Sequence, residues 1–185
     1  MRGIGDVPLS ERGIYEAHKV AVFLASQKIN YICSSPALRT KQTAEEISRL
    51  LKKKVYLNDN LKERINFGDD GVMNYRHYVY LCEKSSFDRS YILPNGDTSI
   101  SCGERFKKVI SGLWMKKHLF SLIVSHGGII ADFLRNEFGD KQLNYLDVFF
   151  AKYKIVRSCS ITTISLDVNT KKLHLLKLNN IGHLL

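Results

Sequence analysis

Arg39 is the first side chain whose type and position indicate chemistry. In the stretch SSPALRTKQTAEE (34–46), Ser35 and Pro36 predict the cap and first turn of a helix that carries Arg39. A cation there faces the positive end of the helix dipole, at a cost of about 0.3–1 kcal/mol. The position favours a guanidinium that binds an anion such as phosphate together with the helix N-terminus. A guanidinium that points into solvent is the alternative.

His126 stands in a similar arrangement in the stretch LIVSHGGI (122–129). The apolar run predicts a strand buried on both faces, and His126 follows its end. Gly127 and Gly128 then open a helix without side chains that would block a ligand. Because ligands of open α/β sheets bind at the carboxyl ends of the strands, we expect a ligand site at His126.

Glu63, in LKERINFGDDG (61–71), is a candidate general acid between two basic residues. A carboxyl group can give its proton to a leaving oxygen. Spacing alone does not favour it over Glu11, Asp69 or Asp70, and a solvated surface cluster of charges remains an equal interpretation.

Strands alternate with helices along the chain, which predicts a mostly parallel sheet covered on both faces. Residues 58–97 are less regular, with turn signals at Pro94 and Asn95-Gly96. Four helices are predicted: residues 10–27 (with Ser10 as N-cap), residues 36–51, a helix after Ser99, and a helix after Gly128. The predicted strands are 29–34, 54–58 and 119–124, and residues 161–168 and 172–178 are predicted to form a hairpin.

Composition narrows the classes of function. The chain has 185 residues, enough for one domain, and a net charge of +10 that favours anionic partners. Its lysines are scattered rather than interleaved with aromatic residues, so no nucleic-acid partner is expected. No apolar run reaches the ~18 residues of a membrane span, and no signal peptide is visible. The four separated cysteines predict free thiols in the cytoplasm and no metal site.

Six motifs in order carry a resemblance to a known family. They are GDVPLSERG, SSPALRTKQTAEE, LKERINFG, PNGDTS followed by Arg105, SHGG, and the closing LNNIGHL, spread from Gly3 to Leu184. Together they resemble the histidine phosphatase superfamily, whose fold is phosphoglycerate-mutase-like. The resemblance implies a three-layer α/β/α sandwich formed by one domain (1–185), with 64–97 as an irregular cap or insert.

The resemblance also implies a chemistry. A histidine attacks phosphorus, becomes phosphohistidine, and is freed by water without a metal or cofactor. By position, Arg39 would clamp the phosphoryl oxygens and His126 would stabilise their charge. Glu63 would protonate the leaving alcohol and then activate water. Arg2, Gly3 and Gly127 would line the pocket of a small phosphorylated substrate.

The family's nucleophile lies in an Arg-His-Gly motif at the tip of its first strand, and that strand and motif are missing from this sequence. Arg76-His77 imitates the dipeptide, but Tyr78 follows it and no apolar strand precedes it. Loss of the strand would leave LFSLIV (119–124) with one unpaired edge. We therefore expect a late-starting gene model or an incomplete clone in the first place, and degeneration into an inactive protein in the second.

Three functions follow as hypotheses. The first is a phosphatase of phosphate monoesters, active at full length. The second is a phosphate-binding or regulatory homologue without catalysis. The third is a phosphoglycerate-mutase-type phosphotransferase, which the short segment between Glu63 and Pro94 disfavours. A basic nucleic-acid-binding module would explain the charge but none of the motifs. The identity of the substrate and the oligomeric state stay open, because many phosphate esters present the same terminal dianion.

Overall fold

The fold is a parallel sheet between two layers of helices, followed by a hairpin. A computed structural model describes residues 6–67, 74–116, 118 and 120–185. The strands are β1 (Tyr31–Ser34), β2 (Val55–Leu57), β3 (Ser121–Val124), β4 (Ile161–Leu166) and β5 (Leu173–Asn180). Strands β2, β1 and β3 form the parallel sheet in that order, and β4 and β5 pair antiparallel. The predicted α/β class is confirmed.

The helices flank this sheet. They are α1 (Glu11–Leu24), α2 (Leu38–Leu51), α3 (Tyr75–Phe87), α4 (Ser99–Met115), α5 (Gly127–Leu146) and α6 (Val148–Tyr153), with short 3-10 turns at Asp59–Leu61 and Gly182–Leu184. Helix α5 is interrupted at Gly139, where φ is +74°. In the part of the chain that the structure describes, none of these helices is both long and apolar enough to cross a membrane.

The central strand β1 divides the core into two halves. Successive side chains of a strand point to opposite faces. Ile32 therefore packs with the buried residues of α1 and α2, whereas Cys33 packs with those of α4 and α5. Both are almost fully buried, and β1 has a strand on either side. This alternation produces the three layers and fixes the sheet at their centre.

Caps confirm one predicted helix start and correct another. The Ser10 hydroxyl accepts a hydrogen bond from Gly13 N at 3.2 Å, as expected of the α1 N-cap. Helix α2 begins at Leu38, two residues later than Pro36 suggested, and its N-cap Ala37 makes no side-chain bond. The prediction that Ser35 caps α2 is wrong because the helix begins at Leu38. The Ser35 hydroxyl accepts from Ala37 N at 3.4 Å and contacts the His126 ring at 2.9 Å.

The segment 64–97 is more regular than predicted. The expectation of an irregular cap is wrong for Tyr75–Phe87, which forms the 13-residue helix α3. This helix buries Leu81 but also Ser85 and Ser86, so its inward face does not show the apolar periodicity by which helices are found in a sequence.

Strand β3 is less buried than its apolar sequence predicted. All four residues of Ser121–Val124 are partly exposed, so the expectation of a strand buried on both faces is wrong. Among the described strands, β3 pairs only with β1, and its other edge borders a groove. Beyond the strands, Ser35 N donates to Val124 O at 2.9 Å, which extends the β1–β3 contact to the site described next.

Candidate functional site

Arg39 and His126 meet at the carboxyl ends of β1 and β3. Arg39 lies in the first turn of α2, and His126 is the N-cap residue of α5. Arg39 Nη2 lies 2.9 Å from His126 Nδ1 and donates to Asn66 Oδ1 at 2.8 Å. Because the two basic side chains touch, one small anion can contact both of them.

The hydrogen bonds of the His126 ring assign its protons. A guanidinium only donates, so Nδ1 accepts from Arg39. The other nitrogen, Nε2, lies 2.9 Å from Ser35 Oγ and carries the hydrogen that this hydroxyl accepts. The pKa of His126 is lowered to about 4, chiefly by burial; Arg39 adds to this shift and Glu63 opposes it. The imidazole is therefore neutral at pH 7, and the fixed positive charge of the pair is that of Arg39.

The Glu63 carboxylate lies at the N-terminus of α5. Its Oε2 accepts from Gly128 N, and its Oε1 accepts from Ile129 N and from Arg64 N, each at 2.9 Å. The first N–H groups of a helix have no partner inside the helix, so a carboxylate there satisfies two of them and meets the positive dipole end. The Glu63 carboxylate therefore contacts α5 at the second and third residues after His126.

Gly127 and Gly128 serve packing in the described structure, rather than the open approach that their sequence suggested. A Cβ at Gly127 would lie 2.8 Å from Val156 O. A Cβ at Gly128 would lie 2.6 Å from Glu63 Oε1. Both glycines still line the cavity at the site. Their missing side chains make room for a backbone carbonyl and for the carboxylate.

A groove of about 1200 Å³ includes the site. Arg39, Glu63 and His126 line it, together with residues of β3 and β4 and of the surrounding helices. Helix α3 contributes Tyr78, whose pKa is raised by burial. The three candidate site residues therefore share one groove.

Two predicted pocket residues, Arg2 and Gly3, lie outside the described residues and stay predictions. His77, the histidine that imitates the family dipeptide, is exposed on α3. Within the described ranges, no three His, Cys, Asp or Glu side chains are close enough together to hold a metal ion.

Sequence reasoning missed four side chains around the site. The Asp6 carboxylate accepts a hydrogen bond from Leu38 N at 2.8 Å, which caps α2, and lies 4.0 Å from Arg39 Nη1. Arg64 and Asp132 form a buried ion pair behind Glu63. A signal for the pair was present, because Asp132 interrupts the apolar run of α5. Asn66 and Asp6 lie inside two of the quoted motifs, LKERINFG and GDVPLSERG, but the sequence assigned neither of them a role.

Comparisons with known proteins agree with this fold. The probable phosphoglycerate mutase GpmB of Proteus mirabilis is 27% identical over 173 residues, which are 89% of this chain and 76% of that protein. Phosphoserine phosphatase of Entamoeba histolytica, solved with 3-phosphoglyceric acid, superposes with a TM-score of 0.73 at 24% identity, over 100% of this chain and 90% of that one.

A second solved structure is similar to the same extent. The mycobacterial glucosyl-3-phosphoglycerate phosphatase, in complex with inorganic phosphate, gives a TM-score of 0.71 at 20% identity, over 99% of this chain and 92% of that chain. The family model of the histidine phosphatase superfamily (branch 1) matches residues 1–180. The chain therefore belongs to the histidine phosphatase superfamily.

Proposed function

We propose that the chain binds the phosphoryl group of a phosphate monoester between Arg39 and His126, and that it hydrolyses the ester when an attacking histidine is present. The observation that carries this proposal is the 2.9 Å contact between Arg39 Nη2 and His126 Nδ1 at the ends of two adjacent parallel strands. A guanidinium binds phosphate oxygens with two parallel hydrogen bonds, which suits a dianion.

Binding needs a small rearrangement of hydrogen bonds. Arg39 exchanges its bond to His126 Nδ1 for a phosphoryl oxygen. Once the negative phosphoryl group lies beside the ring, it favours a proton on Nδ1, and His126 becomes a second donor to the developing charge. The Ser35 hydroxyl, which accepts from Nε2, keeps the ring in place during this change.

The proposed hydrolysis has two chemical steps. A nitrogen of the attacking histidine forms a bond to phosphorus while the bond from phosphorus to the ester oxygen breaks, and protonated Glu63 gives its proton to that oxygen. In the second step the Glu63 carboxylate takes a proton from water. The resulting oxygen attacks phosphorus, the phosphorus–nitrogen bond breaks, and phosphate and the free histidine are released.

The attacking histidine is the part of this mechanism that the given residues do not supply. None of the six histidines stands in an Arg-His-Gly motif. We assign hydrolysis to a chain in which a strand that ends in this motif precedes residue 1. The phosphate-binding part of the proposal applies to the 185 residues alone.

The test compares two lengths of chain with p-nitrophenyl phosphate and inorganic phosphate. We expect both lengths to bind phosphate in calorimetry and only the longer one to release p-nitrophenol. Arg39→Ala should weaken phosphate binding about 10- to 100-fold, because it removes a charge-assisted pair of hydrogen bonds. Arg49→Ala is the matched control, because Arg49 is an exposed arginine on the same helix, paired with Glu46.

Two results would contradict the proposal. Turnover by the 185-residue chain as fast as by the longer one would remove the need for the added histidine. Phosphate binding that is unchanged in Arg39→Ala would show that the anion binds elsewhere.

The names of the similar proteins favour a second candidate, a phosphoglycerate mutase. The longer chain supplied with 3-phosphoglycerate separates the two reactions. A mutase produces 2-phosphoglycerate with little free phosphate, whereas a phosphatase releases stoichiometric phosphate. If the longer chain binds phosphate and does neither, the phosphate-binding or regulatory function is the remaining candidate.

A further inference from the structure

The dipeptide Glu63-Arg64 lies along one face of the first two turns of α5. The Glu63 carboxylate accepts from Gly128 N and Ile129 N at 2.9 Å. One turn further along, Asp132 Oδ2 lies 3.1 Å from Arg64 Nε. The candidate acid and its neighbour in sequence therefore contact consecutive turns of the same helix.

The Arg64 guanidinium is buried, and each of its three nitrogens has a polar neighbour. Its exposed fraction is 4%, and that of Asp132 is 0%. Arg64 Nη1 donates to Ser85 Oγ at 3.1 Å and Nη2 donates to Ser86 Oγ at 3.0 Å, both on α3. The Ser99 hydroxyl, at the start of α4, donates to the other oxygen of Asp132. One guanidinium therefore ties the Glu63 loop to α3 and α5.

The backbone around Glu63 is held on both sides. Arg105 Nη1 donates to Lys62 O at 3.1 Å, and the Asn95 amide donates to Arg64 O. These bonds fix where the loop runs. Of the side chains next to Glu63 in sequence, Arg64 is the one that also contacts α5, the helix that the carboxylate caps.

A buried ion pair is a poor source of stability, because the cost of removing two charges from water is close to their mutual attraction. Apolar side chains of the same volume would stabilise α3 and α5 at least as well. The benefit of the pair is its geometry, since a planar guanidinium with three partners has one orientation.

We propose that the Arg64–Asp132 pair positions the Glu63 carboxylate at the start of α5, so that Glu63 reaches the leaving oxygen. The role of Glu63 as acid rests on the proposed function; the placement of its carboxylate by the pair does not. Arg64 and Asp132 are positioning residues, because neither has a place at the reacting atoms.

The placement is tested without substrate, by NMR of the 185-residue chain. The amide resonances of Gly128 and Ile129 report the Glu63 carboxylate, and Glu63→Gln gives their positions without a charged acceptor. We expect Asp132→Asn to move both resonances toward those positions and to speed exchange of both amides with solvent at least about tenfold. Arg64→Lys should do the same, because a lysine cannot reach all three partners.

Asp140→Asn is the matched control. Asp140 forms another arginine–aspartate pair of α5, with Arg135 Nε at 2.6 Å, and makes no contact with Glu63. Asp140→Asn should leave the amide resonances of Gly128 and Ile129 at their wild-type positions. If Asp132→Asn fails to fold, Arg64→Lys decides the question. If the Gly128 and Ile129 resonances stay at their wild-type positions in the folded Asp132→Asn and Arg64→Lys variants, the proposal is wrong.

The consequence for chemistry is tested in the longer, hydrolytic chain. The p-nitrophenolate ion leaves without a proton, whereas an alkoxide needs one. A displaced acid should therefore slow an alkyl phosphate about tenfold more than p-nitrophenyl phosphate, whereas a merely structural defect slows both esters equally. If Asp132→Asn and Arg64→Lys each slow the two esters by the same factor, the positioning role is wrong. If the Gly128 and Ile129 resonances move as expected but the longer chain hydrolyses neither ester, the pair positions the Glu63 carboxylate and the hydrolytic function is wrong.

Discussion

The N-termini of α2 and α5 offer a comparison within one site. Both helices follow adjacent parallel strands, and a carboxylate from elsewhere in the chain caps each of them. At α2 the cap is Asp6, which is exposed and accepts one hydrogen bond, from Leu38 N. At α5 it is Glu63, which is partly buried and accepts three backbone hydrogen bonds.

Under the proposed function, the difference would separate two tasks, anion binding and proton transfer. Asp6, which accepts a single hydrogen bond from Leu38 N, lies 4.0 Å from Arg39 Nη1, where the proposed phosphoryl group would replace it. The firmly held Glu63 stays beside the α5 amides, with Arg64 behind it. The proposal therefore assigns the replaceable anion to the phosphate-binding residues Arg39 and His126, and the firmly held carboxyl group of Glu63 to proton transfer.

The largest expected effect concerns His126 at the start of α5. Burial lowers its pKa to about 4 from an ordinary 6.5, so between these values the unfolded chain binds more protons than the folded one. The free energy of unfolding should then decrease as the pH falls through that window, by about 3 kcal/mol from this residue. Denaturant unfolding at pH 4, 5, 6 and 8 measures it.

The variant His126→Asn isolates this contribution. The difference in unfolding free energy between the wild type and the variant should shrink toward low pH, because only the wild type has to keep this imidazole neutral. A difference that is constant from pH 8 to pH 4 would show that His126 titrates alike in both states.

The next effect distinguishes the two glycines that open α5. Gly127→Ala should destabilise the fold by about 2 kcal/mol, because its Cβ would lie 2.8 Å from the backbone oxygen of Val156. Gly128→Ala should displace the Glu63 carboxylate, because the added Cβ would lie 2.6 Å from Glu63 Oε1. It should therefore slow hydrolysis of alkyl phosphates by more than its loss of stability explains. Thermal unfolding and turnover of the longer chain measure the two losses.

Gly112→Ala is the control for both glycines. It lies inside α4 with no atom within 4 Å of an added Cβ, so alanine should raise stability by about 0.5–1 kcal/mol. If Gly127→Ala and Gly128→Ala reduce stability and turnover in the same proportion, the contact of Gly128 with Glu63 has no effect on hydrolysis beyond its effect on the fold.

The part of the site that lies at strand ends could be predicted from the sequence. Adjacent parallel strands end at one edge of the sheet, and this brings Arg39 and His126 together even though 87 positions separate them. The histidine and arginine could be placed because each follows a recognisable strand. The Ser35 hydroxyl could not, because a serine before a proline fits a helix cap as well as it fits a ring partner.

The face of α3 could not be predicted for a different reason. Helices are recognised by apolar residues at helical spacing, and α3 turns Ser85 and Ser86 inward toward Arg64. Their partner lies 21 and 22 positions earlier in the chain, so no local pattern reports it. Polar groups that satisfy one another inside the protein remove the periodic signal on which such predictions depend.

The smallest expected effect tests the replaceable carboxylate itself. Asp6→Asn keeps an oxygen that caps α2, since asparagine and aspartate are comparable N-caps, but removes the negative charge near Arg39. Phosphate should bind about two- to fivefold more tightly, the size expected of an exposed ion pair at this distance. Calorimetry at low salt measures the gain, which should shrink as added salt screens the charges.

Asp167→Asn, in the β4–β5 turn, is the control for this last change, because it removes one negative charge far along the chain from Arg39. An equal gain in Asp6→Asn and Asp167→Asn would mean that phosphate responds to net charge alone. A gain specific to Asp6 means that phosphate and this carboxylate compete for the same guanidinium. Competition of this kind would place the bound phosphate at Arg39, because the chain's own anion there is held weakly enough to be replaced.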